Sequence, residues 1–463
     1  MDIKGKKVSV IGAGKSGIAA AELLVREGAK VFVSESGAIG AKGLLLLSEM
    51  QIPCEEEGHS DLVYDADFCV ISPGIPPFAP VVEAMQARGI PLYSEIEIAS
   101  LFCRARIVGI TGTDGKTTTS TIVHRICEED GRSNGYRSFS VGNIGVPFSS
   151  MVREMSAGDV AVVELSSYQL ERSPSLRPDV AVITNITPDH LGRYNGDMQQ
   201  YAAAKFRIYA NQRPEDTLVY NADDPLLHAH FTADNAQFPF RMYPFGMEPV
   251  GQGEIDHRIV LLDGDTVIVR TDSGVERVMA TSEVLKKSFR GRHNISNVLA
   301  AVAVARALGI GNEPLLSALR SFQGVEHRQE FVKSIDGVDW VNDSKATNLN
   351  AMRQALKSLP STAVLIAGGR DKGNDYATIA ELVREKISLL IAIGESRRKI
   401  VASFDGIVPL KAAGSLEEAL LAAREVAEPG QTVLFSPGCA SFDMFDNFEE
   451  RGRQFKECVH RLQ

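Results

Sequence analysis

The chain has 463 residues, of which 44% are hydrophobic and 23% are charged, a composition typical of a soluble globular protein with two to four domains. Its net charge of −10 argues against a general binder of nucleic acid or of membrane surfaces, because both attract basic faces. The cysteines are scattered without a CxxC pair, which indicates a reducing compartment. No signal-peptide pattern opens the sequence and no apolar stretch approaches the ~20 residues of a membrane span, so we expect a cytoplasmic protein.

The first predicted strand, Val8–Gly12, leads into the glycine-rich segment Gly12–Gly17, and Glu35 follows at the distance of a ribose-binding acid. The GxGxxG spacing predicts a loop that holds a diphosphate over a helix N-terminus. This geometry serves nicotinamide dinucleotides and UDP-sugars alike, so the segment alone does not choose between them. A second loop, which contains Gly74, follows the predicted strand Phe68–Ser72 and could close the same site. Taken alone, such a loop is more often a plain turn.

The strongest local signal follows the predicted strand Ile107–Thr111, where the sequence reads TGTDGKTTT. Glycines allow backbone amides to surround phosphate oxygens, and the next helix adds its positive N-terminal end. Lys116 is expected to reach the β- and γ-phosphates, and the Thr117 hydroxyl is expected to bind Mg²⁺. The spacing is GxxGKT, which is shorter than the common GxxxxGK[ST] form.

Three polar residues downstream are candidates for the same centre. Glu164 ends a predicted buried strand and places a carboxylate where a second Mg²⁺ ligand is needed, while His190 offers an imidazole after the next strand. Lys205 lies in a predicted helix, Gln199–Tyr209. Taken singly, His190 is more often a turn residue and Lys205 a solvated lysine, so only their joint occurrence favours a catalytic centre.

The remaining elements predict an α/β chain in three domains, 1–95, 96–324 and 325–463. The middle domain carries a small β extension, followed by a helix at Asn294–Leu308. The third has loops rich in polar groups after its strands, and Cys439 in one of them is expected to serve packing because no histidine lies near it in sequence. The further predicted strands are Val160–Leu165, Val180–Asn185, Arg258–Leu262, Thr266–Arg270, Ala363–Ala367, Leu389–Ile393 and Thr432–Ser436.

Together these segments resemble the Mur ligase family, in the family's order and across nearly the whole chain. The resemblance is carried by the phosphate loop, ELSSYQLE, NITPDH, the lysine of YAAAK, GRHNISN and GVEHR. In the third domain NDSKATN, GGRDKGNDY and SPGCASFDMFDNFEERG resemble the D-glutamate-adding members. One departure is Gly192, where the family commonly has Asp, and we expect it to change the rigidity of that loop.

The resemblance implies a Rossmann-like N-terminal domain for the UDP substrate, a central ATPase-like α/β domain with its small β extension, and a Rossmann-like C-terminal domain for the amino acid. It implies ATP-dependent addition of D-glutamate to UDP-N-acetylmuramoyl-L-alanine through an acyl phosphate, in cytoplasmic peptidoglycan precursor synthesis. The implied cofactors are ATP and two Mg²⁺ ions, and the protein is expected to act as a monomer.

The same resemblance assigns roles to individual residues. Catalysis is assigned to Lys116, His190 and Lys205, with Lys205 carrying a carbamate. The metal ligands are Thr117, Glu164, His190 and Lys205. The residues assigned to ATP are Gly112, Thr113, Asp114, Gly115, Lys116, Thr117, Thr118, Asn297, Arg328 and Asp343. Those assigned to the UDP substrate are Lys15, Ser16, Glu35, Ser72, Gly74 and Asn143, and those assigned to D-glutamate are Thr347, Lys372, Ser441 and Phe442.

Two alternatives stay open at this stage. Another amide ligase of the Mur or folylpolyglutamate type is opposed by the N-terminal GxGxxG unit, since a folate enzyme is expected to begin with the ATP loop. A dinucleotide-dependent oxidoreductase is suggested by Gly12–Gly17, but it leaves the Lys116 loop and the third domain without a purpose.

Overall fold

The computed structural model describes residues 2–189, 191–233, 237–248, 258–284, 289, 291–371 and 373–462, except for the side chain of residue 191. It divides into two compact units. The first unit comprises Met1–Val284 and Arg292–Phe322, and the second comprises Leu285–Gly291 and Gln323–Gln463. The three predicted domain boundaries stay predictions.

The first sheet of the first unit is parallel, in the order β3-β2-β1-β4-β5. β1 and β4 are almost wholly buried apolar runs, as expected where a parallel sheet is covered on both faces. Because β1 lies between β2 and β4, the loops after β1 and β4 meet at the carboxyl edge of the sheet. The elements are β1 Lys7–Ile11, α1 Lys15–Arg26, β2 Lys30–Ser34, α2 Ala41–Glu49, β3 Cys54–Glu55, β4 Phe68–Ile71, α3 Pro80–Ala87, β5 Leu92–Ser94 and α4 Glu95–Phe102.

The second sheet of this unit has the order β14-β13-β12-β11-β10-β9-β6-β8-β7. It is parallel from β7 to β12 and antiparallel from β12 to β14, which confirms the predicted β extension. Its elements are β6 Arg106–Thr111, α5 Lys116–Asn134, β7 Ser138–Gly142, α6 Phe148–Met151, β8 Val160–Glu164, α7 Ser167–Glu171, β9 Val180–Ile183, α8 Met198–Phe206, β10 Thr217–Asn221, α9 Pro225–Phe231, β11 Arg241–Gly246, β12 Ile259–Asp263, β13 Thr266–Thr271, β14 Gly274–Ala280, α10 Arg292–Leu308 and α11 Asn312–Ser321.

The second unit has one sheet in the order β15-β16-β20-β17-β18-β19, with only the β15–β16 pair antiparallel among the residues described. Ile366 packs into one core cluster and Leu365 into another, so alternate residues of β17 fill the two faces. Its elements are β15 Glu330–Ile335, β16 Val338–Asn342, α12 Leu349–Lys357, β17 Ala363–Gly368, α13 Ala380–Lys386, β18 Ile387–Ile393, α14 Arg397–Phe404, β19 Leu410–Ala412, α15 Leu416–Val426, β20 Thr432–Phe435 and α16 Phe448–Arg461.

The predicted strands are confirmed, with ends that differ by at most two residues. The predicted helix at Asn294–Leu308 begins two residues earlier, at Arg292. The one predicted at Gln199–Tyr209 is an α-helix only to Phe206 and continues as a 3₁₀ turn. Across the described ranges, no helix combines the length and apolarity that crossing a bilayer requires.

Candidate active site

Two glycines shape the phosphate loop between β6 and α5. Gly112 has φ +152° and Gly115 has φ +82°, a region that side chains with a Cβ rarely adopt. A Cβ at Gly112 would overlap the hydroxyl of Thr184, and one at Gly115 would overlap the amide oxygen of Asn297. Asn297 also accepts a hydrogen bond from the Thr119 hydroxyl at 3.2 Å, so α10 lies directly against the loop.

The segment after β9 supports the phosphate loop from one side. The Thr184 hydroxyl donates to the Asp114 carbonyl at 2.6 Å, and the Asn185 side chain accepts from the Asp114 amide at 2.9 Å. The Thr113 amide donates to the Asn185 carbonyl at 2.9 Å. The sequence pointed to this segment for His190, which lies outside the described residues, and missed the supporting role of Thr184 and Asn185.

Two lysines converge on one carbonyl oxygen of the loop. Lys116 donates to the Gly112 carbonyl at 2.9 Å and to the Thr113 carbonyl at 2.7 Å, and Lys205 donates to the Gly112 carbonyl at 2.7 Å. The Lys205 side chain is 2% exposed, so its interpretation as an ordinary solvated lysine is wrong. Burial first, and then the positive charge of Lys116, hold the pKa of Lys205 well below its ordinary value.

The carboxylate of Glu164 ends β8 within the same sheet. It is buried, and its Oε1 accepts a hydrogen bond from the Asn143 side chain at 3.0 Å, while its carbonyl accepts from the Asn143 amide at 2.8 Å. Thr117 lies in the first turn of α5. A carboxylate and a hydroxyl are oxygen ligands of the kind that Mg²⁺ prefers, so these residues fit the metal. Within the described part of the chain, no group of three or more His, Cys, Asp and Glu side chains could hold a metal ion.

The glycine-rich loop after β1 contacts the loop after β4 at the carboxyl edge of the first sheet. The Ser72 hydroxyl donates to the Gly12 carbonyl at 3.2 Å, and a Cβ at Gly12 would overlap that hydroxyl. Gly17 is equally constrained, because a Cβ there would overlap the Gly12 carbonyl. Lys15 is exposed at the first position of α1, and Gly74 is exposed in the second loop.

Glu35 binds the glycine-rich loop itself. Its Oε2 accepts from the Ala13 amide at 2.8 Å and its Oε1 from the Gly37 amide at 3.2 Å. Burial raises the pKa of this carboxyl, but hydrogen bonds from the Ala13 and Gly37 amides outweigh it and lower the pKa. The structure therefore gives Glu35 a role in loop geometry, and its contact with a ribose stays a prediction.

In the second unit, Asp343 joins the loops after β16 and β20. Its Oδ2 accepts from the Ser436 hydroxyl at 2.7 Å and its Oδ1 from the Gln329 amide at 3.2 Å. Burial raises the pKa of Asp343 to about 6, against the opposing effects of the Ser436 hydrogen bond and the Arg328 charge. The contacts of Arg328 and Asp343 with a nucleotide stay predictions.

Arg451 is a structural residue of the second unit that the sequence did not reveal. The side chain is 1% exposed and donates to the Ser344 carbonyl at 2.7 Å, the Ser344 hydroxyl at 3.0 Å and the Cys439 carbonyl at 3.1 Å. It therefore ties α16 to two of the predicted glutamate-binding loops. The only available signal was an arginine on the apolar face of an otherwise amphipathic helix.

The predicted glutamate-binding residues have different surroundings. Ser441 is buried, Thr347 is half-buried and Phe442 is 58% exposed, while Lys372 lies outside the described residues. Cys439 is 1% exposed and burial raises the pKa of its thiol, which confirms its interpretation as a packing residue.

The phosphate loop follows β6, which lies between β8 and β9 in the sheet. A lysine, a hydroxyl and a carboxylate lie beside this loop, and this combination defines an α/β nucleotide-dependent enzyme. Residues 7–81 match the MurD N-terminal domain, residues 110–305 the Mur ligase middle domain, and residues 327–439 the glutamate ligase domain of Mur ligases. The chain is 71% identical to a UDP-N-acetylmuramoylalanine–D-glutamate ligase of Pelodictyon phaeoclathratiforme, over 100% of this chain and 99% of that one. A ligase of the same name from Chlorobium chlorochromatii is 58% identical over the full length of both chains.

Solved structures show the same fold at low identity. The UDP-N-acetylmuramate-alanine ligase of Thermotoga maritima matches with a TM-score of 0.57 and 18% identity, over 99% of this chain and all of the other. A pseudomurein peptide ligase type C from Methanothermus fervidus matches with a TM-score of 0.55 and 21% identity, again over 99% of this chain and all of the other. The chain belongs to the Mur ligase family and is an ATP-dependent ligase that forms a carbon–nitrogen bond. This excludes the oxidoreductase interpretation of Gly12–Gly17.

Proposed function

We propose that the enzyme joins D-glutamate to UDP-N-acetylmuramoyl-L-alanine, with ATP converted to ADP and phosphate, in the synthesis of the peptidoglycan precursor. The substrates are those in the names of the full-length relatives. The observation that supports the chemistry is the convergence of Lys116 and buried Lys205 on the phosphate loop. A monomeric state and a cytoplasmic location stay predictions.

The reaction needs activation because a carboxylate is a poor electrophile. The L-alanyl carboxylate oxygen attacks the γ-phosphorus, the bond to ADP breaks, and an acyl phosphate forms. The amine of D-glutamate then attacks the acyl carbon, loses a proton, and expels phosphate as the amide forms. Phosphoryl transfer depends mainly on positioning and charge neutralisation. Lys116, which donates to the Thr113 carbonyl of the loop, is the residue that we assign to neutralise charge on the β- and γ-phosphates.

Bound Mg²⁺ would supply further neutralisation of the transferring phosphate, as a two-metal site does elsewhere. Thr117 and Glu164 are the proposed ligands of one ion, and His190 and Lys205 those of a second. An ammonium group cannot bind a cation, so Lys205 must first be modified. We propose that its neutral amine adds CO₂, forming a C–N bond and releasing a proton, to give a carbamate whose oxygens are the ligands.

The carbamate is supported by the burial and the lowered pKa of Lys205, since only the neutral amine attacks CO₂. A Lys205→Ala variant is expected to lose most activity and to regain part of it with added short carboxylic acids, which replace the carbamate. A Lys116→Ala variant is the matched control and should not be rescued, because it lacks a cation. A folded Lys205→Ala protein that no acid rescues would contradict the carbamate.

The other contacts are proposed from the resemblance and are supported by position alone. Asn297 adjoins the phosphate loop and is assigned to the nucleotide with Arg328 and Asp343. The loops after β1, β2, β4 and β7 are assigned to the UDP substrate through Lys15, Ser16, Glu35, Ser72, Gly74 and Asn143. The loops of the second unit are assigned to D-glutamate through Thr347, Lys372, Ser441 and Phe442.

Phosphate release tests the function directly. The protein is mixed with MgATP and UDP-N-acetylmuramoyl-L-alanine, and D-glutamate, L-glutamate or no amino acid is added. Phosphate release with D-glutamate alone, and a product heavier by one glutamyl residue, are expected. Release with none of the three would contradict the substrate assignment and direct the test to other UDP-muramoyl acceptors.

A further inference from the structure

A small cavity in the first unit lies at the carboxyl end of β4. The loop after β4, with Ser72 and Ile75, forms one wall, and the region of α7, with Tyr168 and Arg172, forms another together with Arg193. The volume of about 10 Å³ holds about one water molecule or one oxygen atom of a ligand. Because the Ser72 hydroxyl donates to the Gly12 carbonyl, the cavity adjoins the predicted diphosphate loop.

Arg193 is fixed at the edge of this cavity and still has an unused donor. Its guanidinium lies 4.0 Å from the centroid of the Tyr168 ring and pairs with Glu171 at 3.1 Å. Its Nε is buried and has no hydrogen-bond partner among the described residues. A buried donor that is left unpaired costs free energy, so this N–H favours any ligand that supplies an acceptor.

Arg172 brings a second guanidinium to the same cavity. Its backbone is fixed, since its carbonyl accepts from the Ser94 amide at 2.8 Å. Its side chain is half-buried and donates no hydrogen bond to any described residue. Burial lowers the pKa of Arg172, and the nearby charge of Arg193 lowers it further, although Glu171 opposes this effect.

Among the described residues, Arg193 pairs with the Glu171 carboxylate and Arg172 has no ion pair, so the two guanidiniums bring more positive charge to this half-buried place than Glu171 neutralises. Like charges held together in this way repel each other unless an anion lies between them. A guanidinium presents its N–H groups in a fork that matches the oxygens of phosphate and carboxylate. The cavity thus favours an oxyanion, and its size admits a single oxygen.

We propose that Arg172 and Arg193 form an oxyanion-binding pair for the UDP-linked substrate. This inference rests on the proposed function, because it takes that substrate as the source of the anion. Two of its groups share the required chemistry, the diphosphate and the L-alanyl carboxylate. The first would approach from the Gly12 side, and the second from the Glu164 side of α7.

Binding measurements without ATP test the pair and distinguish the two sources. Isothermal titration compares Arg172→Gln and Arg193→Gln with the wild type, using UDP, UDP-N-acetylglucosamine and UDP-N-acetylmuramoyl-L-alanine. A loss of about 10-fold in affinity is expected for each variant, as for a charge-assisted hydrogen bond. If the diphosphate is bound, all three ligands weaken; if the carboxylate is bound, only the muramoyl-alanine ligand weakens.

Arg132→Gln is the matched control, because Arg132 is an exposed arginine that pairs with Glu129 on α5 and should leave all three affinities unchanged. Arg172→Lys should retain part of the affinity. Arg172→Gln removes no described hydrogen bond, so we expect this variant to fold. It therefore tests the pair even if Arg193→Gln misfolds. Affinities of folded Arg172→Gln within about 2-fold of the wild type for every ligand would overturn the pair.

The failure of this inference is separable from the failure of the proposed function. A wild-type protein that binds the UDP ligands but releases no phosphate with D-glutamate would contradict the function, and the arginine variants would still decide the pair. A wild-type protein that releases phosphate while the variants bind normally would overturn the pair alone. A wild-type protein that binds none of the three ligands would overturn both.

Discussion

Gly112 and Gly192 are glycines of neighbouring loops with opposite surroundings. A Cβ at Gly112 would overlap Thr184 in a backbone conformation that favours glycine, whereas a Cβ at Gly192 would meet nothing within 4 Å. The Cβ of the family's usual aspartate at position 192 would therefore meet no described atom within 4 Å. We therefore expect the glycine at position 192 to act mainly by giving the unfolded chain more conformational freedom, and to change the folded geometry little.

This contrast predicts opposite effects of two alanine substitutions. Gly112→Ala is expected to weaken ATP binding at least 100-fold and to cost about 1–3 kcal/mol of stability, since the strained loop cannot keep its shape. Gly192→Ala should raise the free energy of unfolding by about 0.5–1 kcal/mol and leave turnover within about 2-fold. Urea denaturation and nucleotide titration measure both. If Gly112→Ala kept its stability and its ATP affinity, the overlap expected between the new Cβ and the Thr184 hydroxyl would be contradicted.

At this scale the sequence named candidate residues for the site but not their environment. The motif located Lys116 and Glu164, but nothing in the pattern showed that Lys205 would be buried against Gly112. The burial of a side chain depends on tertiary packing, which one helix segment does not encode. Arg451 was missed for the same reason, because its acceptors lie more than ten residues away in the chain.

Among the elements, α9 begins at a residue that also contacts the segment supporting the phosphate loop. Asp224 accepts from the Leu226 and Leu227 amides at 2.9 and 3.0 Å as an N-cap, and from the Ile186 amide at 2.8 Å. The Asp224 carboxylate therefore accepts hydrogen bonds from two amides in the first turn of α9 and from one amide of the segment that supports the phosphate loop. Charge-assisted bonds of this kind are stronger than those between neutral groups.

Removing this cap should cost more than removing an exposed one. Asp224→Ala is expected to lower the free energy of unfolding by about 2–3 kcal/mol, because three amides lose a buried acceptor. Asp197→Ala, at the exposed cap of α8, should cost about 1 kcal/mol. Urea denaturation compares the two variants. Equal losses would mean that the Ile186 bond contributes nothing.

The helix α4 carries a buried acid where it contacts elements of both sheets of the first unit. Glu95 is 2% exposed, its Oε1 accepts from the Ser149 amide at 2.5 Å, and its Oε2 has no partner among the described residues. Burial raises the pKa of Glu95 to about 7, against the hydrogen bond from Ser149. The unfolded chain releases this proton near pH 4.5.

Between pH 4.5 and 7 the folded protein therefore holds a proton that unfolding releases, so the free energy of unfolding falls as the pH rises. Glu95→Gln stays neutral and should be more stable than the wild type at pH 8, by up to about 3 kcal/mol, and no more stable at pH 4. Thermal unfolding across this pH range measures the difference. A difference that is independent of pH would contradict the raised pKa.

The elements themselves were largely predictable. Runs such as VAVVE and VAVI are buried on both faces, and their lengths and flanking turns predicted strands β8 and β9 to within two residues. The strand order was not predictable from the sequence, because β6 lies between β8 and β9 through crossovers that local patterns do not specify. The switch from α-helix to 3₁₀ turn after Phe206 was also missed, since both have similar local preferences.

On the scale of the whole molecule, the chain divides into two units whose stabilities can be tested separately. Arg451→Ala removes a buried side chain that donates to two carbonyls and a hydroxyl, and is expected to cost about 3–5 kcal/mol. Hydrogen exchange should show faster exchange in the second unit only. Arg453→Ala, on the exposed face of the same helix, is the control and should change nothing. Faster exchange in both units would show that they unfold together.

The first two sheets share one hydrophobic cluster, in which Val10 and Phe68 of the first sheet join Ala161 and Ile183 of the second. The region of the first sheet is therefore not a detachable module. A chimera that replaced residues 1–95 with the same region of a distant relative would leave apolar faces without their partners. An exchange of the whole region would therefore need matching changes across the shared core, whereas substitutions in its exposed loops would not.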